Sequence, residues 1–388
     1  MELGTVFLQG SKKVLLLGSS GLLKLVGLKA HELSLEVINI SSYDLSPASQ
    51  IAHRKYISDL NNIETIASLI KRESPEVIIA DLEEVDPKEI IEIENEGYRI
   101  YPNSSSLKFI IDKNKTRELA LSSTSLKIPK FTINDKADEV FESCKKLGFP
   151  CVLKPNRPGE MNTIIVNNEE ELKEAIKKLP QTQIIAEEYI APVKEIAVFF
   201  FNYLYNGINT LVLDPVEYQR KGEYFMEAWM PANISGEEVK KLTSATEEVA
   251  KNMKTIGGFF ITYFIDKNND IYINDINYAL SELALVTEGG YMCNVFELLL
   301  RSSLELPLSS TRTTCSAAMH LLISTINKWS PTYVNIDRVY SIENTRLILF
   351  GEPKVYDGKA IGAVISTDLD PNKAREKARI AASMFLIL

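Results

Sequence analysis

The chain has 388 residues, of which 45% are hydrophobic and 24% charged, and its formal net charge is −9. This length predicts two or three domains, and the negative charge argues against nucleic acid as a partner. Four cysteines without CxxC spacing and three histidines favour neither a zinc site nor a disulfide framework. Without a basic leader or an apolar run of about 18 residues, we expect a cytoplasmic protein that has no membrane partner.

The first hundred residues alternate strand and helix patterns. Apolar runs at 14–17 and 77–80 are typical of buried strands. Repeated βα units predict a parallel sheet, whose ligands bind at the carboxyl ends of the strands. That rule places 18–22 and 81–84 at one cleft. The loop at 18–21 lacks the GxGxxG spacing of a dinucleotide fingerprint, so glycines that only turn the chain into a helix remain an alternative there.

After a polar stretch at 103–106, which we interpret as an interdomain link, the pattern changes. Strands alternate with helices, a turn at 266–269 joins an antiparallel pair, and a strand-rich portion ends in a helix. The predicted strands are 150–155, 184–190, 195–202, 257–264, 270–276, 346–351 and 360–366, and the predicted helices are 135–147, 169–178 and 371–386.

The middle of the chain carries residues suited to a nucleotide. Lys154 leaves a buried strand, Lys113 lies upstream, and two acids follow on the strand at 184–190. Lysines neutralise phosphates and a carboxylate can hold ribose hydroxyls. Asp275 and Asn277 share one strand face, and two oxygen ligands suit Mg²⁺ that bridges phosphates. Each feature alone is also explained as ordinary surface or packing chemistry.

Taken together, these residues resemble the ATP-grasp superfamily and, more closely, the formate-dependent phosphoribosylglycinamide formyltransferases. The resemblance covers almost the whole chain. It is carried by the segments 14–19, 51–54, 147–155, 222–229, 285–287, 349–353 and 357–358.

The resemblance implies an α/β ATP-grasp fold with an N-terminal parallel-sheet (pre-ATP-grasp) domain at 1–112, an ATP-grasp domain at 113–306 and a C-terminal strand-rich portion at 307–388. It also implies a homodimer that uses ATP and Mg²⁺ to convert formate to formyl phosphate, which the amine of glycinamide ribonucleotide then attacks. Formate and a phosphorylated acceptor are therefore expected partners beside the adenine nucleotide.

The same resemblance assigns roles residue by residue. The ATP-binding residues would be Lys113, Lys154, Glu187, Glu188, Tyr189, Ile190 and Glu195. The acceptor-binding residues would be Leu22, Asp81, Glu282 and Lys359, and the metal ligands would be Asp275 and Asn277.

Several positions depart from the family pattern. The phosphate loop at 156–162 is short and poor in glycine, and Arg157 is the candidate to replace a lysine there. The two metal-bridging glutamates fall on Tyr263 and Asp275, so Mg²⁺ is expected to be weakly held or absent. At the acceptor end, Gly21 replaces a glutamate, Glu352 replaces a phosphate-binding lysine, and Ala360 replaces an arginine.

Two functions therefore remain. The first is an ATP-dependent formyltransferase or ligase with an altered acceptor. The second is a catalytically impaired homologue that binds nucleotide or serves as a regulatory partner. Under a third reading, Asp266, Asp270 or Arg157 would rebuild the site.

Overall fold

The computed structural model describes residues 2–156, 163–179, 182–222, 224–309 and 311–388. An α/β fold with an N-terminal parallel sheet and C-terminal antiparallel strands confirms the predicted fold class. In the described residues, no helix has the length and apolar character needed to cross a membrane.

The N-terminal part is a five-stranded parallel sheet in the order β3-β2-β1-β4-β5. β1 is an apolar run with a fully buried centre, as expected for a strand covered on both faces. The elements are β1 (Lys13–Leu17), α1 (Gly21–Glu32), β2 (Glu36–Ser41), β3 (Arg54–Ile57), α2 (Ile63–Glu73), β4 (Val77–Ala80), α3 (Pro87–Asn95), β5 (Ile100–Tyr101) and α4 (Ser104–Ile110).

The predicted link at 103–106 is instead the start of α4. The side-chain oxygen of Asn103 accepts hydrogen bonds from the Ser106 backbone N–H (3.0 Å) and the Thr255 hydroxyl (3.0 Å). Asparagine is a preferred N-cap because its side chain satisfies a free N–H at the helix start. The polar composition therefore reflects helix capping and attachment to the central part of the chain.

A small antiparallel sheet follows, in the order β6-β9-β7-β8. It has its own hydrophobic core, in which Val140, Leu153 and Leu172 are buried. The elements are α5 (Lys113–Ser123), β6 (Phe131–Asn134), α6 (Ala137–Leu147), β7 (Cys151–Pro155), β8 (Ile164–Val166), α7 (Glu169–Ile176) and β9 (Ile184–Glu188).

Most of the rest of the chain forms a nine-stranded sheet, ordered β15-β14-β10-β12-β13-β16-β21-β19 with β11 paired to β10, and two small sheets pair β17 with β20 and β18 with β22. Its central elements are β10 (Lys194–Leu204), β11 (Ile208–Val212), β12 (Val216–Lys221), β13 (Tyr224–Met230), α8 (Gly236–Met253), β14 (Gly257–Ile265), β15 (Ile271–Tyr278), α9 (Thr287–Gly290) and α10 (Val295–Ser303). The C-terminal elements are β16 (Ser316–Ile323), β17 (Lys328–Trp329), β18 (Tyr333–Val334), α11 (Ile336–Tyr340), β19 (Thr345–Leu349), β20 (Lys354–Val355), β21 (Ala360–Asp368), α12 (Pro371–Met384) and β22 (Leu386–Ile387).

This large sheet crosses the predicted boundary at 306/307, because β13 pairs with β16. The boundary itself stays a prediction. One hydrophobic cluster also joins the N-terminal part to both the central and the C-terminal strands of the large sheet, from Leu23 of α1 through Phe260 of β14 to Ile365 of β21. The two candidate sites lie where the small sheet and the N-terminal sheet meet the nine-stranded sheet.

Candidate active site

A buried cluster of charges joins the small sheet to β15. Lys154 of β7 contacts the Glu187 carboxylate (2.9 Å) and donates a hydrogen bond to the Asn274 side chain (2.8 Å). Asp275 Oδ2 lies 3.4 Å from Lys113 Nζ and 3.9 Å from Lys154 Nζ. The structure thus brings together the two predicted phosphate lysines and the predicted metal carboxylate.

Arg117 completes this cluster. It lies one turn beyond Lys113 on α5, is 1% exposed, and pairs with Glu187 through Nε at 2.8 Å. Burial alone would raise the pKa of Glu187, but Lys154 and Arg117 hold it below its usual value. The side chain of Glu187 is therefore committed to ion pairs, so a contact with adenine would have to come from the backbone of its strand.

The same balance acts on Asp275. Its burial opposes ionisation, but Lys113, Lys154 and Arg117 hold its pKa well below the usual range. Burial lowers the pKa of Lys113. Three cations face two carboxylates, so one positive charge is in excess. Such a surplus suits a phosphate chain, because a charge-assisted contact is stronger than one between neutral groups.

Tyr263 is not part of this site. Its ring lies in the core between β14 and α8, with no exposed surface, and its hydroxyl is 2.7 Å from the Thr246 hydroxyl. A β-bulge shifts the register between Thr262 and Tyr263, so that Thr262 pairs with Asp275. The interpretation of Tyr263 as a lost metal ligand is therefore wrong, because alternation along the strand turns it away from the cleft.

The bulge has a second effect. Thr262 Oγ1 accepts hydrogen bonds from the Asn274 side chain and from the Asp275 backbone N–H, both at 3.1 Å. Two successive residues of β15 are thereby held on the cleft face beside Lys154. This arrangement adds Asn274 and Thr262 to the predicted set.

The remaining predicted ATP residues lie at the end of β9, just beyond it, and near the start of β10. The Glu188 carboxylate accepts a hydrogen bond from the Lys130 backbone N–H at 2.9 Å, and Tyr189 is 37% exposed just beyond β9, followed by Ile190. Glu195 of β10 pairs with Tyr218 of β12, and its carboxylate lies 3.9 Å from the Arg220 side chain. Burial raises the pKa of Glu195, and Arg220 partly offsets this.

The predicted phosphate loop lies outside the described residues from 157 to 162, including Arg157. The two other candidate replacements for a metal ligand belong to the hairpin turn. Asp266 accepts hydrogen bonds from the backbone N–H groups of Asn268 and Asp270, and Asp270 pairs with Lys127 at 2.6 Å. Five residues of strand, roughly 16 Å, separate Asp270 from Asp275, so neither acid rebuilds the site.

The residues fit one Mg²⁺ ion. Asp275 Oδ1 is buried and has no hydrogen-bond partner among the described residues, and the next residue but one on that strand is Asn277. Arg117 Nη1 lies 3.9 Å from Asp275 Oδ1. A carboxylate oxygen without a hydrogen bond, next to lysines that could hold phosphates, is a partial ligand set for Mg²⁺, which takes its other ligands from phosphates and water. Within the described ranges, no group of three or more His, Cys, Asp or Glu side chains forms a self-sufficient metal site.

A cavity of about 660 Å³ opens beside the cleft. It lies between the carboxyl ends of the N-terminal strands, the β14–β15 pair and the C-terminal portion. The predicted metal residue Asn277 lines it. All four predicted acceptor-binding residues line it as well, namely Leu22, Asp81, Glu282 and Lys359.

The lining of this cavity is acidic. Lys359 is the one lysine or arginine among its described lining residues. Five carboxylates contribute to the lining, namely those of Asp81, Glu83, Glu84, Glu282 and Glu352. The Glu84 carboxylate is already hydrogen-bonded within the protein, because its two oxygens accept hydrogen bonds from the Ser19 backbone N–H and hydroxyl, at 2.9 and 2.6 Å. Lys359 is likewise engaged within the protein, since it pairs with Glu352 at 2.9 Å.

Burial and repulsion from Glu83 raise the pKa of Asp81 to about 7. Burial, together with the Asp81 charge, also raises the pKa of Glu282. Tyr278 lines the cavity, is 6% exposed, and its hydroxyl has no hydrogen-bond partner among the described residues. Gly21 completes the wall, because a side chain there would overlap the Phe350 ring.

Comparisons with known proteins agree with this geometry. The ATP-grasp domain family matches residues 119–279, and the ribonucleotide synthetase preATP-grasp domain family matches residues 11–111. An N5-carboxyaminoimidazole ribonucleotide synthetase from Thermotoga maritima shares the fold, with TM-score 0.84 at 24% identity over 97% of this chain and 99% of that one. The chain is therefore an ATP-grasp protein, as predicted.

Sequence relatives narrow the assignment. The chain is 31% identical to a formate-dependent phosphoribosylglycinamide formyltransferase of Saccharolobus solfataricus, and the alignment covers 100% of both chains. It is 30% identical, with the same coverage, to the protein of that name from Sulfurisphaera tokodaii. It belongs to the family of formate-dependent phosphoribosylglycinamide formyltransferases. The structure of glycinamide-RNase-transformylase T from Mycobacterium tuberculosis shares the fold, with TM-score 0.78 at 20% identity over 97% of this chain and 100% of that one.

Proposed function

We propose that this protein is an enzyme that activates formate with ATP and Mg²⁺ and transfers the formyl group to an amine. The observation that carries the proposal is the position of the Lys113–Lys154–Asp275 cluster next to a 660 Å³ cavity, with Asn277 lining that cavity from the same face of β15 as Asp275. A nucleotide and an acceptor would thus meet at one strand. Full-length relatives from Saccharolobus solfataricus, Sulfurisphaera tokodaii and Methanocaldococcus jannaschii are named as formyltransferases and lend no support to a non-catalytic role.

The cleft side chains divide the work on the nucleotide. Lys113 and Lys154 are placed to neutralise the phosphates, and Glu195 to hold ribose hydroxyls. Arg117 and Glu187 hold Lys154 in position through buried ion pairs. Phosphoryl transfer needs positioning and charge neutralisation more than covalent assistance, and this cluster supplies both.

One Mg²⁺ would be held by Asp275 and Asn277, and it would supply charge neutralisation for the phosphates. The observation that favours this assignment is Asp275 Oδ1, which accepts no hydrogen bond from any described residue. Because one carboxylate is present where two would be expected from the family, we expect the protein to hold this ion weakly without nucleotide.

In the proposed reaction, formate takes the γ-phosphoryl group of ATP, which gives formyl phosphate and ADP. The nitrogen of a neutral amine then forms a bond to the formyl carbon, the carbon–oxygen bond to phosphate breaks, and phosphate leaves with the electron pair. The amine proton needs an acceptor. Asp81 lines the cavity and its pKa is about 7, which suits a general base at neutral pH.

The test uses hydroxylamine as a trapping nucleophile, so that no acceptor has to be known. The full chain is incubated with ATP, Mg²⁺, formate and hydroxylamine, and both ADP and formyl hydroxamate are measured. We expect the two products in equal amounts, with ADP release that depends on formate. Bicarbonate and acetate serve as controls for the carboxylate substrate.

A Lys154→Met variant, checked for folding by circular dichroism, should lose both products, because the phosphate loses its buried cation. Nucleotide binding without formate-dependent ADP release would contradict the proposal and favour the non-catalytic alternative. Release stimulated by bicarbonate instead of formate would place the chemistry in a carboxylating reaction. A homodimer and a cytoplasmic location remain predictions that accompany this function.

A further inference from the structure

The cavity beside the nucleotide cleft has the wrong charge for a phosphorylated acceptor. A phosphate group requires free cations or free N–H groups. Lys359, the one lysine or arginine among the described lining residues, lies between the Tyr43 and Tyr356 rings and pairs with Glu352. Glu352 is itself 5% exposed and accepts a hydrogen bond from the Tyr43 hydroxyl at 2.9 Å. A phosphate would have to displace this buried carboxylate.

The opposite wall holds negative charge that has no cationic partner in the described structure. Asp81, Glu83 and Glu282 line the cavity together, and no lysine or arginine among the described residues forms an ion pair with any of them within 4.0 Å. Asp81 is 5% exposed and Glu282 is half-buried, whereas Glu83 is exposed. A carboxylate that is buried, or that lies beside other carboxylates without a cation, is costly to ionise. A ligand with a positive charge would offset that cost, whereas a phosphate would add to it.

Tyr278 gives a second and independent indication of a ligand. It is 6% exposed, it lines the same cavity, and its hydroxyl lacks a hydrogen-bond partner within the described chain. A buried hydroxyl without a partner is costly, because it has lost its hydrogen bonds to water and gained none in return. A bound group that can exchange a hydrogen bond with a phenol, such as an ammonium group, would remove this cost.

We propose that the cavity binds an acceptor that carries a positive charge and no phosphate, with Glu83 and Glu282 receiving the charge, Asp81 facing the neutral amine, and Tyr278 as a hydrogen-bond partner. The inference rests on the proposed formyl transfer only for the reacting group, a primary amine. An acceptor of this class has two nitrogen centres, of which one is neutral and is formylated while the other stays cationic. The raised pKa values of Asp81 and Glu282 agree with a site whose charge is balanced by its ligand.

The experiment compares 1,4-diaminobutane with glycinamide ribonucleotide by titration calorimetry on the full chain in the presence of Mg²⁺ and ADP. We expect the diamine to bind at least tenfold more tightly. Its affinity should also fall as salt is raised from 0.05 to about 0.5 M, because salt screens the attraction. Tighter binding of the ribonucleotide, or no binding of the diamine, would overturn the proposal.

Variants separate the cavity from general charge effects. Glu83 is an exposed loop residue, and Glu83→Gln should weaken diamine binding at least fivefold. Glu92 is an exposed residue on α3 outside the cavity, and the control Glu92→Gln should not change diamine binding. Glu352→Lys should improve ribonucleotide binding at least tenfold. If that variant fails to fold, the Glu83 comparison and the wild-type titration still decide the question.

The hydroxylamine assay distinguishes the two proposals. Formyl hydroxamate without diamine binding would refute the acceptor inference and leave formate activation intact. Diamine binding without formyl hydroxamate would refute formate activation, and the charge preference of the cavity would stand.

Discussion

Replacement of Asp275 by asparagine tests how the nucleotide cleft works. The change keeps the shape of the side chain and removes one negative charge from a cluster of three cations and two carboxylates. Asp275 lies 3.4 Å from Lys113 and 3.9 Å from each of Lys154 and Arg117. At an effective dielectric constant of about 20, a charge pair near 4 Å is worth about 4 kcal/mol before solvation is counted.

Burying Asp275 is itself costly, so the net effect is smaller than the sum of its attractions. Removing one partner of a buried ion pair typically costs about 3–5 kcal/mol, and we expect Asp275→Asn to lower the free energy of unfolding by about that amount. Urea denaturation at pH 7 without nucleotide measures it. A matched control is Asp266→Asn in the turn of the same hairpin, which should have little effect because asparagine also accepts the turn hydrogen bonds.

Asp275→Asn should change Mg²⁺-dependent ATP turnover and Mg²⁺-free ADP binding in opposite directions. Mg²⁺-dependent ATP turnover should fall roughly 100- to 1,000-fold, because loss of about 3–4 kcal/mol of transition-state stabilisation corresponds to that factor. ADP without Mg²⁺ should bind as tightly as to the wild type or more tightly, because the excess positive charge rises from one to two. Undiminished turnover, or weaker Mg²⁺-free ADP binding in a folded variant, would refute this account of the cleft.

Three further predictions follow from buried positions. Tyr263→Phe should lower the free energy of unfolding, measured in urea, by about 1 kcal/mol, because the hydrogen bond to Thr246 is lost. Tyr263→Glu should unfold the chain rather than raise turnover. Higher Mg²⁺-dependent turnover in the glutamate variant would contradict the packing role. The pKa of Asp81 is raised to about 7, so the folded state binds the carboxyl proton more tightly than the unfolded chain does. The free energy of unfolding without ligand should therefore fall by up to about 4 kcal/mol between pH 4 and 7. An equally steep dependence of stability on pH in Asp81→Asn would refute this. Gly21→Ala should lower stability by about 1–3 kcal/mol because its methyl group overlaps the Phe350 ring, and an unchanged urea midpoint would show that the ring can move aside.

Much of the fold could be predicted from local patterns. The runs that became β1 and β4 are apolar throughout, because a parallel sheet is covered on both faces. The antiparallel pair of β14 and β15 was predicted from its turn-rich connection. What alternation could not show was the bulge at Thr262, since one extra residue in a strand changes which side chains face the cleft. The omission of Asn274 comes from that extra residue, which lies on β15 opposite Thr262. Tyr263 was misplaced because it was assigned from the family pattern, whereas alternation along β14 turns it into the core.

The candidate site was predictable where charge and chain order suffice. Lys113, Lys154 and Asp275 come together as expected. Arg117 was missed, although it follows Lys113 by four residues and such a pair shares one face of a helix. The free hydroxyl of Tyr278 could not have been predicted, because whether a buried tyrosine finds a partner depends on tertiary contacts.

The pairing of β13 with β16 decides how this protein can be divided for study. Truncation after residue 306 would strip the hydrogen bonds from Glu227–Met230, which pair with Ala317–His320. It would also take Arg375 away from the Trp229 ring, 3.7 Å from its centroid, and from the Glu227 carboxylate at 2.8 Å. An apolar strand with an open edge is a template for aggregation. Recombinant fragments that end at this point should therefore be recovered in inclusion bodies, and exchange of the C-terminal portion between relatives will require its partner strand to be exchanged with it.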